Sequence, residues 1–273
     1  METQKITDNK TLALKIRIHA LKMVNRARTS HIGSNLSAAD LLAALYGGIL
    51  RVDPSNPDWS DRDRFILSKG HATAAIYAVL AERGFFPLGW LDDYCQNGSL
   101  LPGHITRGLP GTEASTGSLG HGSPIACGIA LAGKRDSRNY RVFVLLGDGE
   151  CDEGSVWESV LFAPHHKLDN LIAIIDYNKI QSFGNTKDIL DLNPFAEKWR
   201  AFGWAVREID GHDLEQIEDA LTSVPFETGR PSCIIAHTVK GKGVSFMEGK
   251  LTWHYQNPDD EQLCQALAEL EVQ

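Results

Sequence analysis

Apolar and polar positions in the first third of the chain recur with the spacing of helices and, once, of a short strand. Over residues 11–28, apolar side chains return every three or four positions, which predicts an amphipathic helix. A second helix is expected from Ser37 to Leu50, with Ser37 and Asp40 in a capped first turn. The segment RFIL at 64–67 predicts a short strand, which leads through a tight Ser-Lys-Gly-His turn into another helix.

The later part of the chain alternates apolar runs with amphipathic segments. Strands are predicted at 140–146, 171–177, 204–209 and 232–238, and helices at 123–134, 154–166, 194–202 and 213–223. This order is typical of an α/β fold with a mainly parallel sheet and helices on both faces. No linker, repeat or low-complexity tract divides the 273 residues, so we expect a single domain over residues 1–273.

The composition narrows the classes of function. A formal net charge of −8 argues against a general nucleic-acid surface, which requires a basic stripe. The polar N-terminus lacks the apolar core of a signal peptide, and no run of about 18 apolar residues could span a bilayer, so we expect a cytoplasmic protein without membrane contact. The five cysteines are scattered and have no zinc-type spacing, which indicates reduced thiols.

Polar side chains directly follow two successive predicted strands. Asp148 stands between Gly147 and Gly149 after one strand, and Asn178 follows the next. Because parallel strands deliver their carboxyl ends to one edge, neighbouring strands about 4.8 Å apart would let one cation reach both side chains. Oxygen donors without His or Cys favour Mg²⁺ or Ca²⁺, and the glycines allow the backbone to approach a bulky anion. A bare Gly-Asp-Gly turn fits an ordinary strand-to-helix connection equally well, but the paired placement favours a metal diphosphate.

This arrangement resembles the thiamin diphosphate binding motif, which starts with Gly-Asp-Gly and ends with Asn, here from Gly147 to Asn178. Further segments match in order and spacing: ARTSHIGSNLSAADLLAALY, SKGHATAAIYAVLAERG, LPGH, TGSLGHG and a late WH. Together they resemble the N-terminal, diphosphate-binding half of a transketolase over about residues 12 to 260. The resemblance implies the thiamin diphosphate-binding fold, here its diphosphate-binding domain, with thiamin diphosphate and Mg²⁺, Ca²⁺ or Mn²⁺ as cofactors.

The resemblance also implies a set of site residues. The implied metal ligands are Asp148, Asn178 and the backbone carbonyl of Ile180. The implied cofactor-binding residues are His71, Gly117, Ser118, Leu119, Gly149, Glu150, Asn178 and His254. The implied catalytic residues are His31, His71, His104 and His254, with Glu153 in an acidic network between two active sites. Imidazoles suit this chemistry because they move protons near neutral pH and donate hydrogen bonds to developing oxyanions.

The remaining histidines and two lysines receive other interpretations. His121 is a cleft residue without assigned chemistry, and the histidines expected to be structural or exposed are His19, His165, His166, His212 and His237. Lys240 and Lys242 lie in HTVKGKG, which resembles a flexible basic loop, and lysines there are expected to be exposed rather than to bind phosphate.

A transketolase also has a second α/β domain, which supplies the glutamate that activates the cofactor, and the present sequence has no room for it. We therefore expect the N-terminal subunit of a two-chain transketolase, active only with a separate C-terminal subunit in an α₂β₂ assembly. Its reaction would move a two-carbon ketol unit from a ketose, expected to be a sugar phosphate, to an aldose. The alternatives are a subunit resembling deoxyxylulose phosphate synthase or a 2-oxoacid dehydrogenase, and a non-catalytic binding or regulatory half.

Overall fold

The computed structural model describes the backbone of residues 2–272 and the side chains of residues 8–272. Within this part, five parallel strands form one sheet in the order β1-β2-β3-β5-β4. The strands are β1 (Arg64–Leu67), β2 (Val142–Gly147), β3 (Leu171–Tyr177), β4 (Ala205–Asp210) and β5 (Ser232–His237). The parallel sheet expected from the sequence is present, with strand boundaries within two residues of those predicted, whereas the first helix, predicted from residue 11, already begins at Glu2.

Helices cover both faces of the sheet. The helices in the described residues are α1 (Glu2–Ala27), α2 (Ile32–Ser37), α3 (Ala39–Ala44), α4 (Thr73–Glu82), α5 (Gly122–Arg135), α6 (Gly154–His165), α7 (Thr186–Ile189), α8 (Phe195–Ala201), α9 (Leu214–Thr222) and α10 (Asp260–Glu271). None of them is long and apolar enough to cross a membrane. The segment from α4 to α5 is irregular except for a short 3₁₀ turn, Leu88–Asp93, as its weak periodicity indicated.

Alternate strand residues belong to two separate cores. Phe143 and Leu145 of β2 pack with α1, α3 and α4, whereas Val144 and Leu146 pack with α5, α6 and α8. Every residue of β2 and β3 is buried, since helices cover both faces. The continuous apolar runs of these two strands therefore reflect a central position in the sheet.

The helix predicted from Ser37 to Leu50 ends close to the predicted residue, but its start and its continuity are wrong. The chain forms α2, a break at Ala38, and then α3, which passes into a π-helical segment, Leu45–Ile49. Ser37 is the last residue of α2, and its hydroxyl donates to Asp176 rather than capping a helix. Asp40 pairs with Arg17. Both polar side chains serve tertiary contacts, which local pattern could not distinguish from a capped first turn.

Helix α10 was not predicted. It begins with a capping box in which Asp259 and Gln262 exchange hydrogen bonds between side chain and backbone, and Ala266 and Leu270 are buried. The D-x-x-Q spacing of a capping box was present in the sequence and could have identified this start.

Candidate active site

The predicted oxygen ligands meet at the carboxyl edge of the sheet. Strands β2 and β3 are neighbours, with Gly147 opposite Asp176, so Asp148 and Asn178 leave the sheet side by side. The carboxylate of Asp148 is buried and accepts hydrogen bonds from the amides of Gly149, at 2.7 Å, and Lys179, at 2.5 Å. The side-chain oxygen of Asn178 accepts from the amide of Ile180 at 3.1 Å. These bonds fix both side chains in place.

Among the residues that the structure describes, no cationic side chain forms an ion pair with Asp148. Burial, followed by the negative charge of Asp176, raises the pKa of Asp148 to about 7 from an ordinary value of 3.8. Asp176 lies beside it, but its charge is paired with Lys69. Although burial alone would raise the pKa of Asp176, the Lys69 ammonium and hydrogen bonds from Ser37 and Thr238 hold it below its usual range. The edge therefore contains one neutralised carboxylate and one that a cation would stabilise.

Two buried lysines, Lys69 and Lys240, face the same edge. Lys69 follows β1 and binds Asp176, while Lys240 follows β5 and donates to the carbonyl of Ile180 at 2.9 Å. Burial lowers the pKa of Lys240 to about 8, so its ammonium form still predominates at neutral pH. The expectation that Lys240 is an exposed loop lysine is wrong. Lys242 is indeed partly exposed and pairs loosely with Glu248.

Four histidines from distant parts of the chain converge above this edge. The ring centroid of His31 lies 5.0 Å from that of His71, 5.1 Å from that of His254 and 6.2 Å from that of His104. His31 adopts a left-handed backbone conformation, with φ of 74°, at the start of α2. The sequence-based grouping of these residues is thus reproduced as one cluster, with His104 at its exposed side.

Burial keeps three of these rings neutral. Burial, with the charges of His104 and Lys240, lowers the pKa of His31 to about 4. Burial, with Lys240, lowers the pKa of His254 to about 3, and burial lowers the pKa of His71 well below its ordinary value. Nδ1 of His254 accepts from the Lys240 ammonium at 2.7 Å, which assigns its proton to Nε2. His254 can therefore donate one hydrogen bond through Nε2.

The loop at 117–120 is held to the end of β2 by Glu150. The buried carboxylate of Glu150 accepts from the amides of Gly120, at 2.9 Å, and Gly147, at 3.2 Å, and from the hydroxyl of Ser68. Burial raises the pKa of Glu150. A side chain at Gly117 would press against the ring of His104, with a Cβ contact of 3.0 Å. Gly117 therefore packs directly against His104, and a larger residue there would require the ring to shift.

These groups line one cavity of about 210 Å³. Of the residues expected at the site, the cavity is lined by His31, His71, His104, His254, Gly117, Leu119, Asp148, Gly149, Glu150, Asn178 and Ile180. Ser118 and Glu153 are exposed and lie outside this lining, and His121 is also exposed. Cys151, just after the Gly-Asp-Gly turn, is fully buried and burial raises the pKa of its thiol.

Sequence reasoning missed Ser34, Lys69 and Gln181, which also line the cavity. The hydroxyl of Ser34 lies 3.2 Å from Nε2 of His71, and the amide of Gln181 donates to Asp152 at 2.8 Å. Lys69 and Lys240 each come within a few residues of the carboxyl end of a strand. Their position relative to β1 and β5 was the signal that could have placed them at the ligand-binding edge.

Comparison with known proteins agrees with this geometry. The family model described as "Transketolase, thiamine diphosphate binding domain" matches residues 8–270. The chain belongs to the transketolase family. It therefore carries the thiamine diphosphate binding domain of transketolases, in the parallel α/β fold expected from the sequence.

Relatives in the transketolase family include separate subunits. The chain is 45% identical over 257 residues to the 6-deoxy-6-sulfo-D-fructose transketolase subunit SqwG of Clostridium sp. (strain MSTE9), covering 94% of each chain. It is 42% identical over 256 residues to a subunit of the apulose-4-phosphate transketolase of Phocaeicola vulgatus, covering 94% of this chain and 91% of that one.

The solved transketolases are longer. The crystal structure of the Campylobacter jejuni transketolase superposes with a TM-score of 0.91 at 32% identity, and the match covers 98% of this chain but 43% of that one. The present chain thus spans less than half the length of the solved transketolase that it matches, but nearly the full length of the two relatives named as subunits.

Proposed function

We propose that this chain is the N-terminal subunit of a two-chain transketolase, which moves a two-carbon ketol unit from a ketose to an aldose. One observation carries the proposal: a single cavity combines the oxygen edge, two buried lysines and four histidines. The similarity to relatives named as transketolase subunits supports it. We further propose that residues 1–273 act as one diphosphate-binding domain.

The residues at the oxygen edge fit a hard divalent cation. Asp148, Asn178 and the carbonyl of Ile180 supply only oxygen donors, as Mg²⁺ prefers. Each oxygen that already accepts a hydrogen bond retains a second lone pair, including the Ile180 carbonyl bound by Lys240. A divalent ion would also supply a positive charge beside the Asp148 carboxylate, whose pKa is raised by burial and by Asp176.

The same cavity fits a diphosphate. Lys69 and Lys240 offer ammonium groups, and His71 and His254 stand beside them. Gly149 belongs to the turn that would approach the phosphates. When bound, thiamin diphosphate supplies a nucleophilic carbon and an electron sink. This chain's residues would hold the cofactor through its diphosphate and the metal, and keep water away from the reacting atoms.

The histidines would handle the proton transfers of the reaction. Because burial lowers the pKa values of His31 and His254, both rings are neutral at neutral pH, and a neutral His31 has a ring nitrogen that can accept a proton from a sugar hydroxyl. His254 carries its proton on Nε2, where it can donate to a developing oxyanion. His104, at the exposed side, would meet the substrate.

A partner chain would cover the cavity. Phe183, Leu190 and Tyr255 are 77%, 55% and 57% exposed. Phe183 is next to the cavity residue Ser182, and the ring of Tyr255 lies 4.8 Å from that of His254. We call Phe183, Ile189, Leu190, Leu251 and Tyr255 the apolar rim. Exposed apolar side chains around a binding cavity are characteristic of an interface.

We propose that the partner is a separate C-terminal transketolase subunit, that it supplies the cofactor-activating glutamate, and that the assembly is α₂β₂. Glu153 is exposed, as a residue reaching a second active site through an interface would be. Both relatives are named for sugars that carry an anionic group, a sulfo group in one and a phosphate in the other. We propose a ketose donor that likewise carries an anionic group, with phosphate as the expected one.

The test is reconstitution. Ketol transfer is measured separately for this chain and for a candidate C-terminal subunit, and then for their mixture, with thiamin diphosphate and Mg²⁺ present. Activity only in the mixture supports the proposal. Full activity of this chain alone would refute the two-chain arrangement, and a mixture that forms a complex and binds the cofactor without ketol transfer would refute the reaction.

A further inference from the structure

His212 lies outside the cofactor cavity, yet it is connected to it by hydrogen bonds. It stands in the loop between β4 and α9, and its side chain is largely buried. Its Nδ1 lies 2.7 Å from a carboxylate oxygen of Asp40, on α3. Its Nε2 accepts a hydrogen bond from the backbone amide of Val239 at 2.8 Å.

These two bonds assign the tautomer of His212. A backbone amide can only donate, so the Nε2 that faces Val239 carries no proton. A neutral imidazole then carries its proton on Nδ1, where it donates to Asp40. His212 therefore joins a carboxylate to a backbone amide, and it can do so only as the neutral Nδ1–H form.

The carboxylate end of this connection is fixed. Arg17 of α1 donates to both oxygens of Asp40, at 3.0 and 2.5 Å, and both side chains are buried. Such paired hydrogen bonds define the orientation of both groups. Asp40 therefore holds the imidazole of His212 in one orientation, and His212 holds Val239.

The other end reaches the cofactor cavity. Val239 precedes Lys240, whose ammonium contacts the Ile180 carbonyl and Nδ1 of His254. Space near this segment is limited, since a Cβ at Gly211, beside His212, would lie 2.4 Å from the side chain of Thr238. Because Lys240 follows Val239 directly, the position of the Val239 backbone bears on where the Lys240 side chain starts its path to these two contacts.

We propose that His212 is a positioning residue: through the amide of Val239 it holds Lys240 against the Ile180 carbonyl and His254. The consequence for cofactor binding rests on the proposed function, whereas the hydrogen-bonded connection itself does not. A merely structural His212 would support the fold without controlling the 238–241 segment.

Two substitutions separate these roles. In His212→Gln, the amide offers one donor and one acceptor, as the neutral ring does, and it can reach both Asp40 and Val239. In His212→Asn, the shorter amide can reach Asp40 but not Val239. His237→Gln is the matched control, because the His237 side chain also pairs with a carboxylate, Glu208, and within the described residues its ring forms no hydrogen bond with residues 238–241.

The first measurements use the chain without ligand. Nitrogen-15 spectra should show His212 as the Nδ1–H tautomer, assigned by the loss of its signals in His212→Gln. Amide exchange at Val239 should rise about five- to tenfold in His212→Asn, the factor for one lost hydrogen bond, and should stay near wild type in His212→Gln and His237→Gln. An Nε2–H tautomer, or unchanged exchange in His212→Asn, would overturn the proposal.

The second measurement is calorimetric titration of the complex with the C-terminal subunit, using thiamin diphosphate and Mg²⁺. We expect His212→Asn to lose about five- to tenfold in affinity and His212→Gln to bind as the wild type does. If His212→Asn shows faster exchange at Val239 but unchanged cofactor affinity, the proposal that His212 controls the position of Lys240 is overturned. If the wild type itself does not bind, the proposed cofactor is wrong, and the tautomer and exchange results then decide whether His212 holds Val239.

Discussion

Replacing Asp148 with asparagine should flatten the pH dependence of stability and weaken cofactor binding. In the folded chain the pKa of Asp148 is raised to about 7 from 3.8, by burial and then by Asp176. The fold therefore binds this proton more tightly than the unfolded chain does. The free energy of unfolding consequently decreases as the pH rises from about 4 to about 7.

The size of this effect follows from the shift. Keeping the carboxylate ionised in the fold costs about 4 kcal/mol above pH 7, and about 3 kcal/mol of that appears between pH 5 and pH 8. Asp148→Asn removes this dependence. The carboxylate of Asp148 accepts hydrogen bonds from the backbone N–H groups of Gly149 and Lys179. The asparagine side chain has only one oxygen, so its NH₂ group faces one of these two donors, which costs about 1–3 kcal/mol at every pH.

The assay is urea unfolding of both chains at pH 5 and pH 8 with EDTA present. Comparing each chain with itself cancels the constant cost of the amide, so the wild type should lose about 3 kcal/mol more than Asp148→Asn over this interval. Asp188→Asn, the same change at an exposed site, should follow the wild type. With Mg²⁺ and thiamin diphosphate added, ligand binding should stabilise the wild type but not Asp148→Asn.

The same pH dependence in wild type and Asp148→Asn would refute the reasoning, because it would show that Asp148 is not an uncompensated buried carboxylate. Stabilisation of Asp148→Asn by Mg²⁺ and thiamin diphosphate, equal to that of the wild type, would refute the metal assignment.

Three further predictions concern the lysines, the histidines and the apolar rim. Lys240→Met should lower the thiamin diphosphate affinity measured by calorimetry about tenfold, since it removes a buried charge from the cavity. Lys242→Met, at a partly exposed lysine, should change the affinity less than about twofold. Equal losses would contradict the assignment of Lys240 to the cofactor cavity. His31→Gln should reduce kcat of the reconstituted enzyme by about 10²-fold, with cofactor affinity retained. Normal kcat with weakened cofactor affinity would contradict this, because His31 would then bind the cofactor rather than take part in turnover. In sedimentation experiments with the C-terminal subunit, Leu190→Asp should weaken association about tenfold or more, whereas Lys187→Asp on the same turn should not; equal association of all three chains would exclude the apolar rim as the interface.

The sequence predicted two features of the site: the strands with the polar residues that follow them, and the histidine cluster. The apolar runs of β2 and β3 predicted parallel strands, and the residues that follow them, Asp148 and Asn178, were expected at one edge; the structure adds that the two strands are neighbours. The quoted transketolase motifs placed His31 and His254 in one cluster, although pattern alone gives no reason for residues so far apart to meet.

The sequence was least informative where burial depends on other segments. Lys240 lies in a glycine-bearing basic stretch typical of an exposed loop, yet contacts with Ile180 and His254 keep it buried. Ser37 and Asp40 match a helix start, but they are committed to tertiary contacts. In each case the partner comes from a distant part of the chain, which local spacing does not reveal.

The most direct test of the central claim, that the edge formed by Asp148 and Asn178 holds a metal diphosphate, is a crystal structure of the complex with its partner. The crystals would contain thiamin diphosphate and Mn²⁺, and anomalous scattering would locate the metal. We predict a peak within coordination distance of Asp148, Asn178 and the carbonyl of Ile180, with the diphosphate bound to it. Bound thiamin diphosphate with no metal peak at this edge, or a peak held by other residues, would contradict the account.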